Sequence, residues 1–118
     1  MTDLADLIAL LQAAAGPDKK LDVAIHRFIN PEHYARFPNS GYLDALRYTA
    51  VIDAARSLVP EEWAHRLDFR PWLPPRLQAS ASVWRREERP TDWQVIGTNE
   101  AIALCTAALQ ARMRAAHG

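Results

Sequence analysis

The side chains that could bind a metal ion are few, and their spacing does not match a known metal site. The sequence contains four histidines and one cysteine, at positions His26, His33, His65, His117 and Cys105. None of them forms the C-x-x-C, H-x-x-x-H or H-E-x-x-H spacing with which a short segment brings metal ligands together. We therefore expect no metal site and no bound cofactor.

The sequence also lacks a recognisable catalytic motif. Cys105 falls on the apolar stripe of a predicted helix, where cysteine usually behaves as a small hydrophobic residue. There is no G-x-S-x-G motif, and four glycines cannot form a phosphate-binding loop or a dinucleotide fingerprint. Asp44, Asp53 and Asp68 could act as acids or bases, yet each is explained equally well as a solvated position. The sequence favours a protein without catalytic residues; an enzyme with an unrecognised site is the alternative.

A second set of residues has chemistry suited to binding. Tryptophan, tyrosine and arginine anchor protein interfaces, stack on nucleobases and bind phosphates. Several of these residues, with one phenylalanine, are not obviously needed by the predicted core: Tyr34, Arg36, Phe37, Trp72, Trp84, Arg85 and Arg86. We expect them to contact another protein, or a small anionic, nucleotide-like ligand. Ordinary surface positions, or cover by a helical layer, are the open alternatives.

Four segments have the i, i+3, i+4, i+7 apolar spacing that is typical of amphipathic helices. The predicted helices are 3–14, 18–28, 49–58 and 98–115. Good N-cap residues stand at their starts: Thr2 or Asp3, Asp18, Thr49 and Thr98. The carboxylate of Asp22, just inside the second helix, is expected to bond locally, to the backbone or to Lys19.

Three segments alternate apolar and polar residues and predict strands at 63–69, 77–85 and 92–96. Because they follow one another on short connections, they should form an antiparallel meander, grouped apart from the helices. The small residues Ala79, Ala81 and Val83 would let a helix approach one face closely. The sequence thus predicts an α+β fold, with this small sheet packed between helical layers.

One connection is unusually long. Residues 30–47, "NPEHYARFPNSGYLDALR", contain two prolines and no clean period, and we predict an irregular loop there. Long connections in compact domains are commonly functional or disordered. The loop carries three of the candidate binding residues, which makes it a candidate contact surface.

Length and charge narrow the possibilities further. A chain of 118 residues predicts a single domain over 1–118. Basic and acidic residues balance at 14 each, so nucleic-acid binding through a basic surface is disfavoured. The sequence has no apolar run long enough to cross a bilayer and no signal peptide pattern, and a single cysteine suits a reducing compartment. We therefore expect a cytoplasmic location in a bacterial cell and no membrane partner.

Three blocks carry a resemblance to a known group of proteins. The blocks are "DLIALLQAAAGPDKKLDVAI", "YTAVIDAARSLVPEEW" and "GTNEAIALCTAALQARM", and together they span about half of the chain. They resemble recurring segments of small bacteriophage and prophage proteins of the phage ABA sandwich group. The resemblance implies a small antiparallel sheet between helical layers and a phage context, and it implies no particular activity.

Three functions compete. The leading prediction is a non-catalytic phage or prophage accessory protein, with a counter-defence role through binding a host protein or sequestering a nucleotide-like ligand. The second is a structural, self-associating component of a phage assembly. A homo-oligomer is expected because the last predicted helix is smooth on more than one side, with alanines at 101, 103, 107, 108 and 111. The third is an enzyme that lacks a recognisable motif.

Overall fold

The computed structural model describes residues 3–39, 45–88 and 94–117, and within these ranges the α+β prediction is confirmed. Five α-helices are present: α1 (Leu4–Ala13), α2 (Lys19–Ile29), α3 (Pro31–Arg36), α4 (Ile52–Arg56) and α5 (Glu100–His117). The sheet has three strands: β1 (Trp63–Phe69), β2 (Ala79–Arg85) and β3 (Val95–Gly97). None of the described helices is long and apolar enough to cross a lipid bilayer.

The first two helices match the predicted pattern. The Asp3 carboxylate accepts a hydrogen bond of 2.9 Å from the backbone N–H of Asp6, which caps α1. The Asp18 carboxylate accepts from the backbone N–H groups of Lys20 and Leu21, which caps α2. Capping matters here because the first N–H groups of a helix have no partner within the helix.

The prediction of an irregular segment at 30–47 is wrong at its start. Pro31–Arg36 forms the short helix α3, with Pro31 at a position where its missing N–H costs nothing. Six residues are too few to display a repeating apolar stripe, so no periodicity could reveal this helix. Residues 40–44 lie outside the described part of the chain.

Thr49 does not cap a helix, contrary to the prediction. Helix α4 begins only at Ile52, and the Thr49 side chain turns towards α2 instead. Its hydroxyl oxygen accepts a hydrogen bond from the N–H of Asp18 at 2.8 Å, and the hydroxyl donates to Asp22 at 2.8 Å. The expected local bond of Asp22 is therefore also wrong.

The cap of α5 is displaced by one residue from the prediction. The Asn99 side-chain oxygen accepts a hydrogen bond of 2.7 Å from the N–H of Ile102, whereas the Thr98 hydroxyl donates to the carbonyl of Ala14. The Asn99 side-chain amide also donates to the carbonyl of Thr49 at 3.1 Å. These bonds tie the start of α5 to α1 and to the turn before α4.

The sheet is an antiparallel meander in the order β1-β2-β3. In the first pair, Trp63 lies opposite Arg85 and Phe69 lies opposite Ala79; in the second, Ala79 lies opposite Gly97. Strand β2 begins later than predicted because Pro75–Leu77 forms a 3-10 turn. The third strand is shorter than the predicted 92–96 over the described residues, and positions 92 and 93 lie outside them.

Helix α5 forms the centre of the molecule. Every residue from 101 to 109 is buried, and because a helix turns about 100° per residue, such a run leaves no side of the helix open. The sheet packs on α5, chiefly through β2 and β3, while α1 and α4 pack on α5 elsewhere. The helix, rather than the sheet, therefore occupies the middle layer.

The contact between β3 and α5 is very close. A Cβ atom added to Gly97 would lie 2.5 Å from the backbone nitrogen of Ala103 and 2.7 Å from its Cα. On β2, the small side chains of Ala81 and Val83 join the same core cluster as α5. Small residues on this face let the helix approach the sheet, as the sequence predicts.

The alanines of α5 are buried by this packing. All five positions that predicted a smooth self-associating surface, at 101, 103, 107, 108 and 111, are buried within the chain. Self-association through these alanines would require the core to open. Any oligomer must therefore use another surface.

Candidate functional site

The seven predicted binding residues do not form one site. Tyr34, Arg36 and Phe37 lie on or next to α3, and Trp72 lies in the connection between β1 and β2. Trp84, Arg85 and Arg86 lie at the far end of β2. At about 3.4 Å per residue, the seven-residue hairpin separates Trp72 from this last group by roughly 20 Å.

Tyr34, one of the predicted binding residues, is an internal residue. Its side chain is only 8% exposed, and its hydroxyl lies 2.6 Å from Nδ1 of His26. The ring meets that of His33 edge to face, and the guanidinium of Arg27 lies 5.2 Å from the Tyr34 centroid. Tyr34 therefore holds α3 against α2.

Arg36 and Phe37 are both exposed at the end of α3. The Arg36 guanidinium lies 5.9 Å from the Phe37 ring centroid, and the ring of His33 lies 5.4 Å from it on a tilted plane. Phe37 is thus supported by its neighbours in the chain. This small surface is separate from the sheet.

Trp72 is the most exposed large apolar residue in the described part of the chain, at 77%. Its turn is held by backbone bonds from the N–H of Arg70 to the carbonyl of Gln78 (2.8 Å) and from the N–H of Leu73 to the carbonyl of Arg70 (3.1 Å). The Gln78 side-chain amide also donates to the carbonyls of Pro71 and Leu73. The indole is therefore presented on a fixed turn.

Three more apolar side chains lie at the same end of the sheet. Leu77 follows in the 3-10 turn, which packs on β3; Phe69 is the last residue of β1, and Ile96 is the middle residue of β3. By the strand register, Phe69 and Ile96 lie on opposite faces of the sheet. Each is between 43% and 52% exposed. We call these four exposed residues, Phe69, Trp72, Leu77 and Ile96, the apolar end.

Sequence reasoning found only Trp72 of this group. The alternation of β1 places Phe69 on the same side as the partly buried Leu67, yet the Phe69 side chain is exposed. The signal that was available is the segment "RPWLPPRL", in which three large apolar residues lie among prolines and arginines that favour the surface.

The opposite end of the sheet carries positive charge around one indole. The guanidinium carbons of Arg85 and Arg114 lie 5.3 and 5.7 Å from the Trp63 ring centroid. Arg114 also donates to the carbonyl of Val83 at 3.0 Å. Across the described ranges, no carboxylate forms an ion pair with either arginine or with Arg86. We call Arg85 and Arg114 the arginine pair.

Trp84 lies next to this group but on the other face of the sheet. It sits opposite Ala64 on β1 and is half-buried, so its indole is neither free nor fully covered. The position of Arg114 over Trp63 could not be read from the sequence.

The cysteine, the one candidate nucleophile, is engaged inside the protein. Cys105 is fully buried, and its Sγ donates to the carbonyl of Tyr48 at 3.2 Å. Burial, with a smaller contribution from Asp22, raises the pKa of the Cys105 thiol to about 12. The thiolate is the nucleophile, so a thiol with this pKa is unreactive near neutral pH.

His65 has a different environment. Arg56 donates a hydrogen bond of 3.2 Å from Nε to His65 Nε2, and burial followed by the charge of Arg56 lowers the pKa of His65. Both effects favour the neutral imidazole. Within 3–39, 45–88 and 94–117, no three His, Cys, Asp or Glu side chains group as metal ligands.

Comparisons of the chain with protein-family models, curated proteins and solved structures found no match. The resemblance to the phage ABA sandwich group stays a prediction that rests on the three sequence blocks.

Proposed function

We propose that the protein is a non-catalytic binding protein whose apolar end contacts another protein. The observation that carries the proposal is Trp72, which is 77% exposed on a turn held by four hydrogen bonds to its own loop. Large apolar side chains exposed to water and gathered at one end of the sheet are the usual mark of an interaction site.

The fixed turn favours binding for an energetic reason. A flexible loop loses conformational entropy when a partner orders it, and this loss weakens the complex. Here the bonds of Gln78 and Arg70 have already ordered the loop around Trp72. Tryptophan is also the residue type most often found to dominate binding energy at protein interfaces.

The charge around the apolar end indicates the chemistry of the partner. Arg76, in the 3-10 turn next to Leu77, is exposed, and the segment from Arg70 to Gln78 contains no acidic residue. A protein with an apolar pocket and an acidic rim would complement this surface. Such a partner could be a host or a phage protein, and a counter-defence role in the host cytoplasm remains part of the proposal.

The test begins with identification of the protein that copurifies with this chain, followed by measurement of the dissociation constant with purified components. Trp72→Ala should weaken binding at least about 30-fold, because a central tryptophan contributes roughly 2 kcal/mol or more. Phe37→Ala is the matched control, since it removes an exposed aromatic side chain elsewhere. Equal affinities of Trp72→Ala and the unmodified protein would refute the proposed site.

A second candidate ligand, a small anion such as a nucleotide, is favoured by the arginine pair. Two guanidinium groups on one indole, without a carboxylate partner among the described residues, leave positive charge available to a phosphate. A thermal-shift screen of linear and cyclic nucleotides tests this candidate. Any stabilisation should disappear in Arg85→Ala and persist in Arg47→Ala; a screen without shifts removes the candidate.

A further inference from the structure

Strand β1 is an open edge of the sheet. It pairs with β2 on one side only, and no described element runs along its other side. All seven residues of β1 are at least partly exposed, whereas the first five residues of the central strand β2 are buried. An unpaired strand presents backbone hydrogen-bonding groups to whatever can pair with them.

The residues whose backbone groups point outwards can be identified. The N–H of Arg70 donates to the carbonyl of Gln78, so this opposed pair is hydrogen bonded. Hydrogen-bonded pairs alternate along an antiparallel ladder, which directs the backbone of Arg66 and Asp68 inwards. The N–H and C=O groups of the intervening residues, at positions 65, 67 and 69, therefore point away from β2. Within the described ranges, no residue hydrogen bonds to them.

Strand β1 carries one positive and one negative side chain on the face of the sheet that is opposite to α5. Arg66 and Asp68 are two residues apart, and Nε of Arg66 lies 3.3 Å from Oδ2 of Asp68. Their side chains are 49% and 34% exposed. This face points away from α5, so both charges are accessible to a molecule that pairs with β1.

We propose that two copies of this chain associate through β1, antiparallel, with Leu67 of one copy opposite Leu67 of the other. In this register His65 lies opposite Phe69 of the second copy, so the outward backbone groups meet outward backbone groups. Each of these opposed pairs exchanges two hydrogen bonds. The Arg66 side chain then lies directly opposite Asp68 of the second copy, and the reverse pair repeats the contact across the dyad.

The charges select this register over its neighbours. A shift that centres the pairing on position 66 places Arg66 against Arg66 of the second copy. A shift that centres it on position 68 places Asp68 against Asp68. Like charges directly opposite each other destabilise a strand pair, while opposite charges stabilise it by about 0.2–1 kcal/mol. The edge is thus complementary to itself at one alignment.

This dimer does not depend on the proposed partner protein. It joins the two three-stranded sheets into one continuous sheet, with the α5 helices on the same face. Phe69 would be covered in part, but Trp72, Leu77 and Ile96 lie beyond the paired residues. The dimer would provide the predicted self-association without the buried alanines of α5.

Light scattering and sedimentation from about 5 µM to about 500 µM test the dimer, because a contact through one strand edge is small and should be weak. Arg66→Asp and Asp68→Arg should each raise the dimer dissociation constant about tenfold, since each places like charges opposite each other. The double variant restores the opposite-charge pairs and should dimerise like the unmodified protein. Arg47→Asp makes the same charge change at an exposed position off the sheet and should have no effect.

Hydrogen exchange of the unmodified protein gives a second readout that does not depend on variants. At low concentration, the amides at positions 66 and 68 should be protected and those at 65, 67 and 69 should exchange fast. At high concentration, these last three should become protected. A monomer over the whole range, unchanged exchange at these amides, or a dimer that is insensitive to both single charge reversals would overturn the proposal.

Discussion

The hydroxyl of Thr49 donates a hydrogen bond of 2.8 Å to Oδ1 of Asp22, and the backbone N–H of Thr49 donates to the same oxygen at 2.8 Å. Both residues are buried, and 27 positions separate them in the chain. One carboxylate oxygen thus joins the second helix to the turn that precedes the fourth. A polar contact in the interior is stabilising only while both sides are present.

Asp22→Ala should lower the free energy of unfolding by about 2–3 kcal/mol. The substitution leaves the buried N–H of Thr49 without an acceptor, and an unsatisfied buried group costs about 1–3 kcal/mol. Urea titration at neutral pH measures the loss. The matched control is Asp53→Ala, which removes an exposed ion pair with Arg56 and should cost about 0.5 kcal/mol or less. A similar loss in both variants would contradict the role given to Asp22.

Gly97→Ala should destabilise the protein by about 1–3 kcal/mol, because the new methyl group would overlap the backbone of Ala103 in the central helix. Thermal or urea unfolding provides the measurement. Gly16→Ala is the control, since an added Cβ there meets nothing within 4 Å. It should leave stability unchanged or raise it slightly, as alanine restricts the unfolded chain. A loss of stability in Gly97→Ala without a loss in Gly16→Ala is the expected result.

Ser80→Ala should raise the free energy of unfolding by about 1 kcal/mol. The Ser80 hydroxyl is buried on the central strand and has no hydrogen-bond partner among the described residues. Its removal therefore sacrifices no bond and abolishes a desolvation cost. Ser57→Ala, which deletes an exposed hydroxyl that donates to the carbonyl of Ala54, should give no gain. A destabilised Ser80→Ala protein would show that the hydroxyl has an important contact.

Acidification should weaken the protein through His65. Because the folded-state pKa of His65 is lowered, first by burial and then by Arg56, the unfolded chain binds more protons below about pH 6.5. The stabilising contribution of neutral His65 is complete above this pH and is lost as the pH falls towards the folded pKa. Urea unfolding of His65→Gln at pH 7.5 and 5.5 should show a smaller difference than the unmodified protein. Arg56→Ala should reduce the difference only in part, because burial is the larger cause.

The elements with a clear period were predictable from the sequence. Apolar residues at helical spacing, with Asp3 and Asp18 at the caps, indicated α1 and α2, and strict alternation indicated β1. The elements that were predicted wrongly depend on contacts with residues far away in the sequence. Thr49 is a good capping residue by type, but its hydroxyl pairs with Asp22 because the tertiary fold brings α2 to it. Local preference cannot reveal that competition.

The surface was harder to predict than the fold. Tyr34 and Trp72 are both aromatic residues near prolines, and both were expected to bind a partner. In the structure, Tyr34 is buried and Trp72 is exposed. Alanine caused the same difficulty, since it suits a smooth exterior and a crowded interior equally well. The outward backbone groups of β1 leave no trace in residue types at all. They follow from the hydrogen-bond register alone.

The central position of α5 determines how the protein unfolds. The meander and the amino-terminal helices each rest on this one helix, so neither region retains an apolar interior once it detaches. A partly unfolded intermediate should therefore not be stable. The protein should therefore denature in a single all-or-none transition, with far-ultraviolet ellipticity and tryptophan fluorescence changing together.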